Sequence, residues 1–260
     1  EPLNSFNKFL ITNILVPMKN AYLNMPVIAT FLLVLGVAYI FAGPKSVLIV
    51  SFYLLFIAFS EYWDRALITA YMASFSVLVA SVLGVSVGAL CAQSSFASRS
   101  VLLICDFFQT FPSFIYLIPV ILFFGITDTS VIIAAIAYAT VPATRFTVEG
   151  LRNIPEVLQD AGSMSGVSRI QRLISIDFPI AFPHIMLGLN QTVIFSLFMV
   201  IIGAFIGTTD LGQLILKAIS DPQGTGIGIT LGLCVAFIGL TVDQIVRTWA
   251  NTKKAMLGLE

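Results

Sequence analysis

Along the chain, apolar runs recur at lengths that suit a bilayer better than a soluble core. A spanning helix needs about 20 mostly apolar residues, and seven stretches approach that length: 26–43, 46–60, 65–92, 101–124, 130–148, 186–208 and 226–249. Only "GPK" separates the first two, so they form either two crossings or a re-entrant or tilted hairpin. The pattern predicts an all-α polytopic membrane protein of about seven spans, with no soluble domain at either end. Residues 1–25 carry no apolar run behind a basic flank, so no cleavable signal peptide is expected. Glu1 rather than Met opens the sequence, so the natural start is expected upstream or processed.

The pattern breaks between the fifth and sixth spans. "QDAGSMSGVSRIQRLISIDFP", residues 159–179, places Asp160, Arg169, Arg172 and Asp177 with two glycines and a closing proline inside an otherwise apolar sequence. It lies in the largest predicted loop, 149–185. Asn153 suits a helix N-cap, Pro155 the first turn and Glu156 the positive end of the helix dipole. Val157, Leu158, Ala161 and Met164 then form a one-sided stripe, which Gly162 and Gly166 weaken. A second short helix is expected with Val167, Ile170, Leu173 and Ile174 on one face and Ser168, Arg169 and Arg172 on the other, stopped by Pro179 and Pro183. Two short helices with a knob between them suit docking against a cytosolic partner.

Orientation follows Lys and Arg placement. With seven spans, one side receives Lys45, Arg99, Arg145, Arg152, Arg169, Arg172, Arg247, Lys253 and Lys254, and the other Lys8, Lys19, Arg65 and Lys217. The first set is the larger, so its side, with the 149–185 loop and the C-terminus, is expected in the cytoplasm. Composition agrees with the membrane class: 58% of residues are hydrophobic and 10% charged, against about 25% charged in soluble domains, and mean hydropathy is +1.00. A formal net charge of zero gives no footprint for nucleic acid.

Candidate chemistry is sparse. "FAGPKS" at 41–46 lacks the spacing of a phosphate-binding loop. One histidine, His184, makes no metal site, and Cys91, Cys105 and Cys234 are expected to pack as small apolar residues. No nucleophile has a credible partner, so an enzyme is not expected. Asp106 is the ionisable residue expected inside a span, where a helix N-terminus favours a carboxylate; without a chain of such residues, a proton- or sodium-driven carrier is disfavoured. Gln109 and Thr110 in one span, and Asn190, Gln191, Thr192 and Ser196 in another, either border a solute pathway or bond between helices, and Pro112 and Pro119 kink the first of these spans. Small residues recur at fourfold spacing in Ser76, Ala80, Gly84 and Gly88, in Gly203 and Gly207, and in Gly224, Gly228, Gly232 and Ala236, as close helix packing requires.

Residues 160–179 resemble the EAA motif of permease subunits of ATP-binding-cassette importers, EAA-x3-G-x9-I-x-L-P. Asp160-Ala161-Gly162, Gly166 and Ile176-Asp177-Phe178-Pro179 keep every spacing, with Asp for Glu, Gly for the second Ala and Phe for Leu. "FFQTFPSFIYLIPVILFFGI", "PATRFTVEGLRNIPEVL" and "HIMLGLNQTVIFSLFMVIIGAFIGTTDLGQLIL" are similar to permeases for glycine betaine, proline betaine and related quaternary ammonium osmolytes. The resemblance implies a type I importer (MetI-like) transmembrane fold, with a core at 61–250, an extension of two spans at 26–60, an N-terminal segment at 1–25 and a tail at 251–260. It implies that Asp160, Ala161, Gly162, Gly166, Val167, Arg169 and Arg172 couple the chain to a cytosolic ATPase that holds ATP and magnesium, this chain holding no cofactor. It also implies a second permease copy, a periplasmic or extracellular solute-binding protein and a multi-pass location in the bacterial inner membrane. In such systems the aromatic cage that reads the quaternary ammonium group sits on the binding protein, and the 22 phenylalanines here are expected to face lipid or pack. A permease for another small solute such as an amino acid, a secondary transporter without an ATPase, and a membrane scaffold without transport are the competing readings.

Overall fold

A computed structural model describes residues 2–155, 157–158, 164 and 168–256, and these are helical with no strand. Two short helices, α1 (Pro2–Leu10) and α2 (Val16–Leu23), precede α3 (Val27–Phe59), α4 (Trp63–Ala92), α5 (Ser95–Thr110), α6 (Leu117–Phe124) and α7 (Asp128–Arg152). Beyond residue 168 come α8 (Arg169–Arg172), α9 (Phe178–Ile202), α10 (Leu211–Ser220) and α11 (Thr225–Met256). Five helical stretches are long and apolar enough to cross a membrane, or six when α5 and the bent segment Ser113–Phe124 count as one.

The expected seven stretches are all present. Helix α3 is broken at Gly43, whose φ of 76° and ψ of 178° lie outside helical space and favour glycine. A straight helix would set Phe31 and Trp63 about 48 Å apart, yet their rings stack with centroids 6.0 Å apart. The two limbs therefore fold back on each other, as the hairpin alternative anticipates. Phe41 meets Trp249 at 5.0 Å near the turn, and Gln244 donates to Ser46 at 3.1 Å. The fourth expected span is broken outright rather than kinked: its halves meet at 106° across Phe111 and Pro112. Pro119 falls in the first turn of α6, where a missing N–H costs little, and produces no kink.

Two local expectations are corrected. Asn153 ends α7 instead of starting a helix, its N–H bonding Glu149 O. Pro179 and Pro183 do not stop the segment before the sixth span, since α8 runs through a π-type turn at Leu173–Asp177 into α9, giving one stretch from Ile170 to Ile206. The wide π-turn absorbs the donor that Pro179 lacks, and Pro183 lies early in α9. Residues 2–23, expected only as an N-terminal segment, form helices that bury Leu15 in the core beside Tyr71, Met72, Val131 and Val200.

Helices α4, α7 and α9 make the centre. Gly84 and Gly88 lie directly on α7: a Cβ at 88 would sit 2.7 Å from Thr147 Cβ and 2.8 Å from the Thr144 carbonyl. Ser76 donates to Ile132 O at 3.4 Å. Gly203 likewise faces Val131. The other stripes fit less well, because Gly207 has φ +88 in a turn with open space around it and Gly232 touches nothing within 4 Å. Large side chains such as Leu32, Ile40, Leu48 and Leu122 point outward, as a lipid-facing perimeter requires.

The cations sort to two ends. Lys19 pairs with Asp128 at 3.0 Å and Arg65 Nη1 donates to Thr209 O at 2.5 Å at the far end. At the loop end, Arg152 bonds Ser95 and Arg172 pairs with Asp177. Gly88→Val should force α4 off α7; a loss of about 1–3 kcal/mol, read as a lower midpoint of thermal unfolding in detergent, is expected, with Gly232→Val near neutral.

Candidate functional site

Of the loop residues expected to couple, Asp160, Ala161, Gly162, Gly166 and Val167 lie outside the described residues. Arg169 opens α8. Arg172 is half-buried; its Nε donates to Asp177 Oδ2 at 3.3 Å, and Asp177 is buried. A capping box precedes it. The Ser168 N–H donates to Gln171 Oε1 at 2.9 Å while the Gln171 N–H donates to Ser168 Oγ at 3.3 Å, satisfying two backbone donors at the start of a helix. The Ser-x-x-Gln spacing was the sequence signal for it.

The two clusters of uncharged polar residues are tied to different neighbours. Gln109 accepts from Arg145 at 3.3 Å, and exposed Thr110 bonds its own helix at Phe107 O. Asn190 is buried and donates to Asp243 Oδ1 at 2.5 Å, while its own Oδ1 lacks a partner. Thr192 bonds Gly188 O and Ser196 donates to Ala73 O, both serving packing. Gln191 is half-buried.

Charge inside the spans is richer than Asp106 alone. Arg145, seven residues before the end of α7, donates to Asp106 and Gln109 on α5 and, through Nε, to Glu149 at 2.9 Å. His184 Nε2 on α9 lies 3.7 Å from Glu149 Oε2. The guanidinium thus ties α7 to α5 near the loop end, Glu149 carries the link on to His184 of α9, and two carboxylates face the one guanidinium. Asp243 of α11 is a second buried-side centre: Arg247 Nε donates to it at 2.6 Å beside the Asn190 bond. Both sites were legible as i,i+4 pairs of opposite charge, Arg145/Glu149 and Asp243/Arg247, on otherwise apolar helices. Cys105 and Cys234 are buried and Cys91 is half-buried, as packing residues should be.

At the far end, Asp210 caps α10, its Oδ1 accepting from the Gln213 N–H at 3.1 Å, and the residue is buried. Burial drives its carboxyl up to about 6; the Gln213 amide opposes this, and the negative charge of Asp128 adds to it. The folded chain therefore holds this proton more tightly than the unfolded chain, so its stability falls as pH rises from the ordinary carboxylate range to about 6 and is flat above. In thermal unfolding followed across pH, Asp210→Asn should lose that part of the slope. Arg145→Leu strands Asp106 and Glu149 without a cation and should cost about 1–2 kcal/mol; Arg145→Lys should recover part, because one ammonium cannot reproduce the fork.

Residues 80–250 match the family described as binding-protein-dependent transport system inner membrane component. The trimethylamine N-oxide transport system permease protein TmoV of Pelagibacter ubique is 59% identical over 257 residues, covering 99% of this chain and 36% of its own length. The glycine betaine transport system permease protein OpuAB of Bacillus subtilis is 33% identical over 201 residues, covering 77% of this chain and 71% of its own. The glycine betaine/carnitine transport permease protein GbuB of Listeria monocytogenes is 30% identical over 265 residues, covering 98% and 93%. The chain spans only about a third of the length of the Pelagibacter relative.

Proposed function

The chain belongs to the family of binding-protein-dependent transport system inner membrane components, and from that premise we propose that it forms the translocation pathway of an ATP-driven importer of trimethylated amine osmolytes. The observation that carries this reading is the 59% identity to a trimethylamine N-oxide permease across 99% of the chain. The other similar permeases are named for glycine betaine and carnitine, and all three solutes present a trimethylated nitrogen. Trimethylamine N-oxide is the solute favoured by the identity.

In this reading the 156–168 loop is the surface offered to a cytosolic ATPase. Asp160, Ala161, Gly162, Gly166 and Val167 seat in the ATPase cleft, and Arg169 and Arg172 sit where the loop rejoins the bundle. The partners are a second permease unit, two ATPase subunits that bind ATP and magnesium, a solute-binding protein on the far side, and lipid around the perimeter. The loop end and the C-terminus face the cytoplasm, supported by the larger set of Lys and Arg at that end. Residues 26–60 are an extension beside the core. ATP-driven closure of the ATPases draws the loops together, the pathway opens toward the loaded binding protein, and hydrolysis resets it. Arg145, with its bonds to α5 and its ion-pair partner beside α9, stands between the loop and the pathway helices.

The test is ATP-dependent uptake of labelled trimethylamine N-oxide by the complete transporter in proteoliposomes, with the binding protein present. Uptake should require a co-purifying Walker-motif ATPase. Gly166→Arg and Asp160→Lys should each lower uptake and solute-stimulated ATP hydrolysis at least about tenfold with insertion unchanged. Intact transport in both variants would remove the docking role; uptake without an ATPase would point to a secondary carrier, and uptake of amino acids instead would move the chain to another substrate class.

A further inference from the structure

Between α5, the short turn Ser113–Tyr116, α7 and α9 lies a continuous arc of aromatic rings. Phe108 and Tyr116 have centroids 6.1 Å apart, Tyr116 and Tyr138 5.2 Å, and Tyr138 stacks on Phe195 at 4.7 Å. Phe107 and Phe111 extend it, 4.7 Å from each other. The Tyr116 hydroxyl donates to Phe108 O at 2.6 Å, pinning the turn after the 106° break against the end of α5.

Two observations separate this arc from ordinary packing. Tyr138 lies ten residues into α7, about 15 Å along its axis, which is about half of a hydrocarbon core of about 30 Å. There it is half-buried and its hydroxyl has no hydrogen-bond partner among the described residues. A phenol left unpaired against lipid at that depth is unfavourable, so the surface it occupies is wet. Arg145 comes seven residues later, on the same face of α7 two turns on. Around it the Asp106 side chain is 55% exposed and that of Arg145 33%, and Gln109 and Thr110 are exposed. A carboxylate, a guanidinium and an amide do not face acyl chains in that number. The wet face therefore runs from the charged centre near the loop end up to the arc.

We propose that Phe108, Tyr116, Tyr138 and Phe195 form a transit site inside the membrane for the trimethylated ammonium head of the solute. This rests on the reading of the chain as a permease for such solutes. The faces of aromatic rings attract quaternary ammonium groups weakly, and the rings offer them no carboxylate partner that would hold the cation. Weak attraction lets a solute enter and leave, as conduction requires. On the next stretch of the face, the Asp106 and Glu149 carboxylates screen the Arg145 guanidinium from a cationic head. On α9, Phe195, Gly188 and His184 fall on one face at spacings of seven and four residues; Gly188 lets Phe146 approach, and the Phe146 ring lies 5.3 Å from His184. Rings thus accompany the face on both helices.

The experiment uses the complete transporter in proteoliposomes with its binding protein and labelled trimethylamine N-oxide and glycine betaine. Tyr138→Leu and Phe195→Leu should lower solute moved per ATP hydrolysed about tenfold, while Tyr138→Phe retains it, with affinity of the binding protein and co-purification of the ATPase unchanged. Leu variants that transport as the parent does overturn the site, and so does a Tyr138→Phe loss as deep as that of Tyr138→Leu. A parent transporter that moves neither probe overturns the substrate reading and the site with it. Should the Leu variants fail to assemble, Tyr138→Cys gives the second readout. It should react with a trimethylammonium-bearing thiol reagent, and saturating trimethylamine N-oxide should slow that reaction several-fold. No reaction in any nucleotide state would place the arc against lipid or another copy of the chain and overturn the proposal.

Discussion

The approach of α4 to α7 fixes where everything else in this bundle can sit. Gly84 and Gly88 leave no side chain between the two helices, and Ser76 reaches across to a backbone oxygen of α7. In hydrocarbon there is little hydrophobic force between helices, so contact of this kind supplies the association. Helix α9 then closes on α7 through Gly188 against Phe146 and Gly203 against Val131. With three helix axes set by small residues, the polar groups on their flanks are held at defined depths, which is the condition for Arg145, His184 and Tyr138 to act on one face.

Charge is placed with the same economy. Within the spans the ionisable groups meet partners from other helices: Asp106 with Arg145, Asp243 with Asn190. Each bond ties two elements together, so breaking one leaves both groups without that partner. The far end is built differently. There α1 and α2 strap across the bundle through Asn7 to Phe124 O, Lys19 to Asp128 and Tyr22 to Ser74, while Asp210 and Thr69 hold the turn into α10.

Span positions were readable because an unbroken run of about 20 apolar residues matches the thickness of a bilayer and exceeds what a soluble core helix buries. The polar interruption was readable because charge and glycine break those runs, but its expected bounds of 149–185 were too wide, since helix reaches Arg152 on one side and resumes at Arg169 on the other. The small-residue row on α4 was readable as well: four small residues at fourfold spacing leave one contact to make. What the chain alone concealed depends on partners distant in sequence. Asp243 and Arg247 are legible as a pair on one helix, but the bond from Asn190, 53 residues away, is not. Pro179 and Pro183 look like stops because the rule concerns helices that must satisfy every donor, and a π-turn at Leu173–Asp177 relaxes that demand. The amphipathic N-terminal helices were hidden because Leu15 and Tyr22 find their apolar partners on α4, α7 and α9 rather than within their own segment.

The continuous backbone from Ser168 into the membrane has a mechanical meaning. The capping box at Ser168 and Gln171 starts a rod that runs through the π-turn to Ile206, a span of about 55 Å at helical rise. Rods of that length bend gently and transmit displacement along their axis, except where the hydrogen-bond ladder is widened. A shove delivered to the loop therefore arrives at the opposite mouth of the bundle as movement of Gly203 and Gly207, geared by the stiffness of one helix and yielding, if anywhere, at Leu173–Asp177.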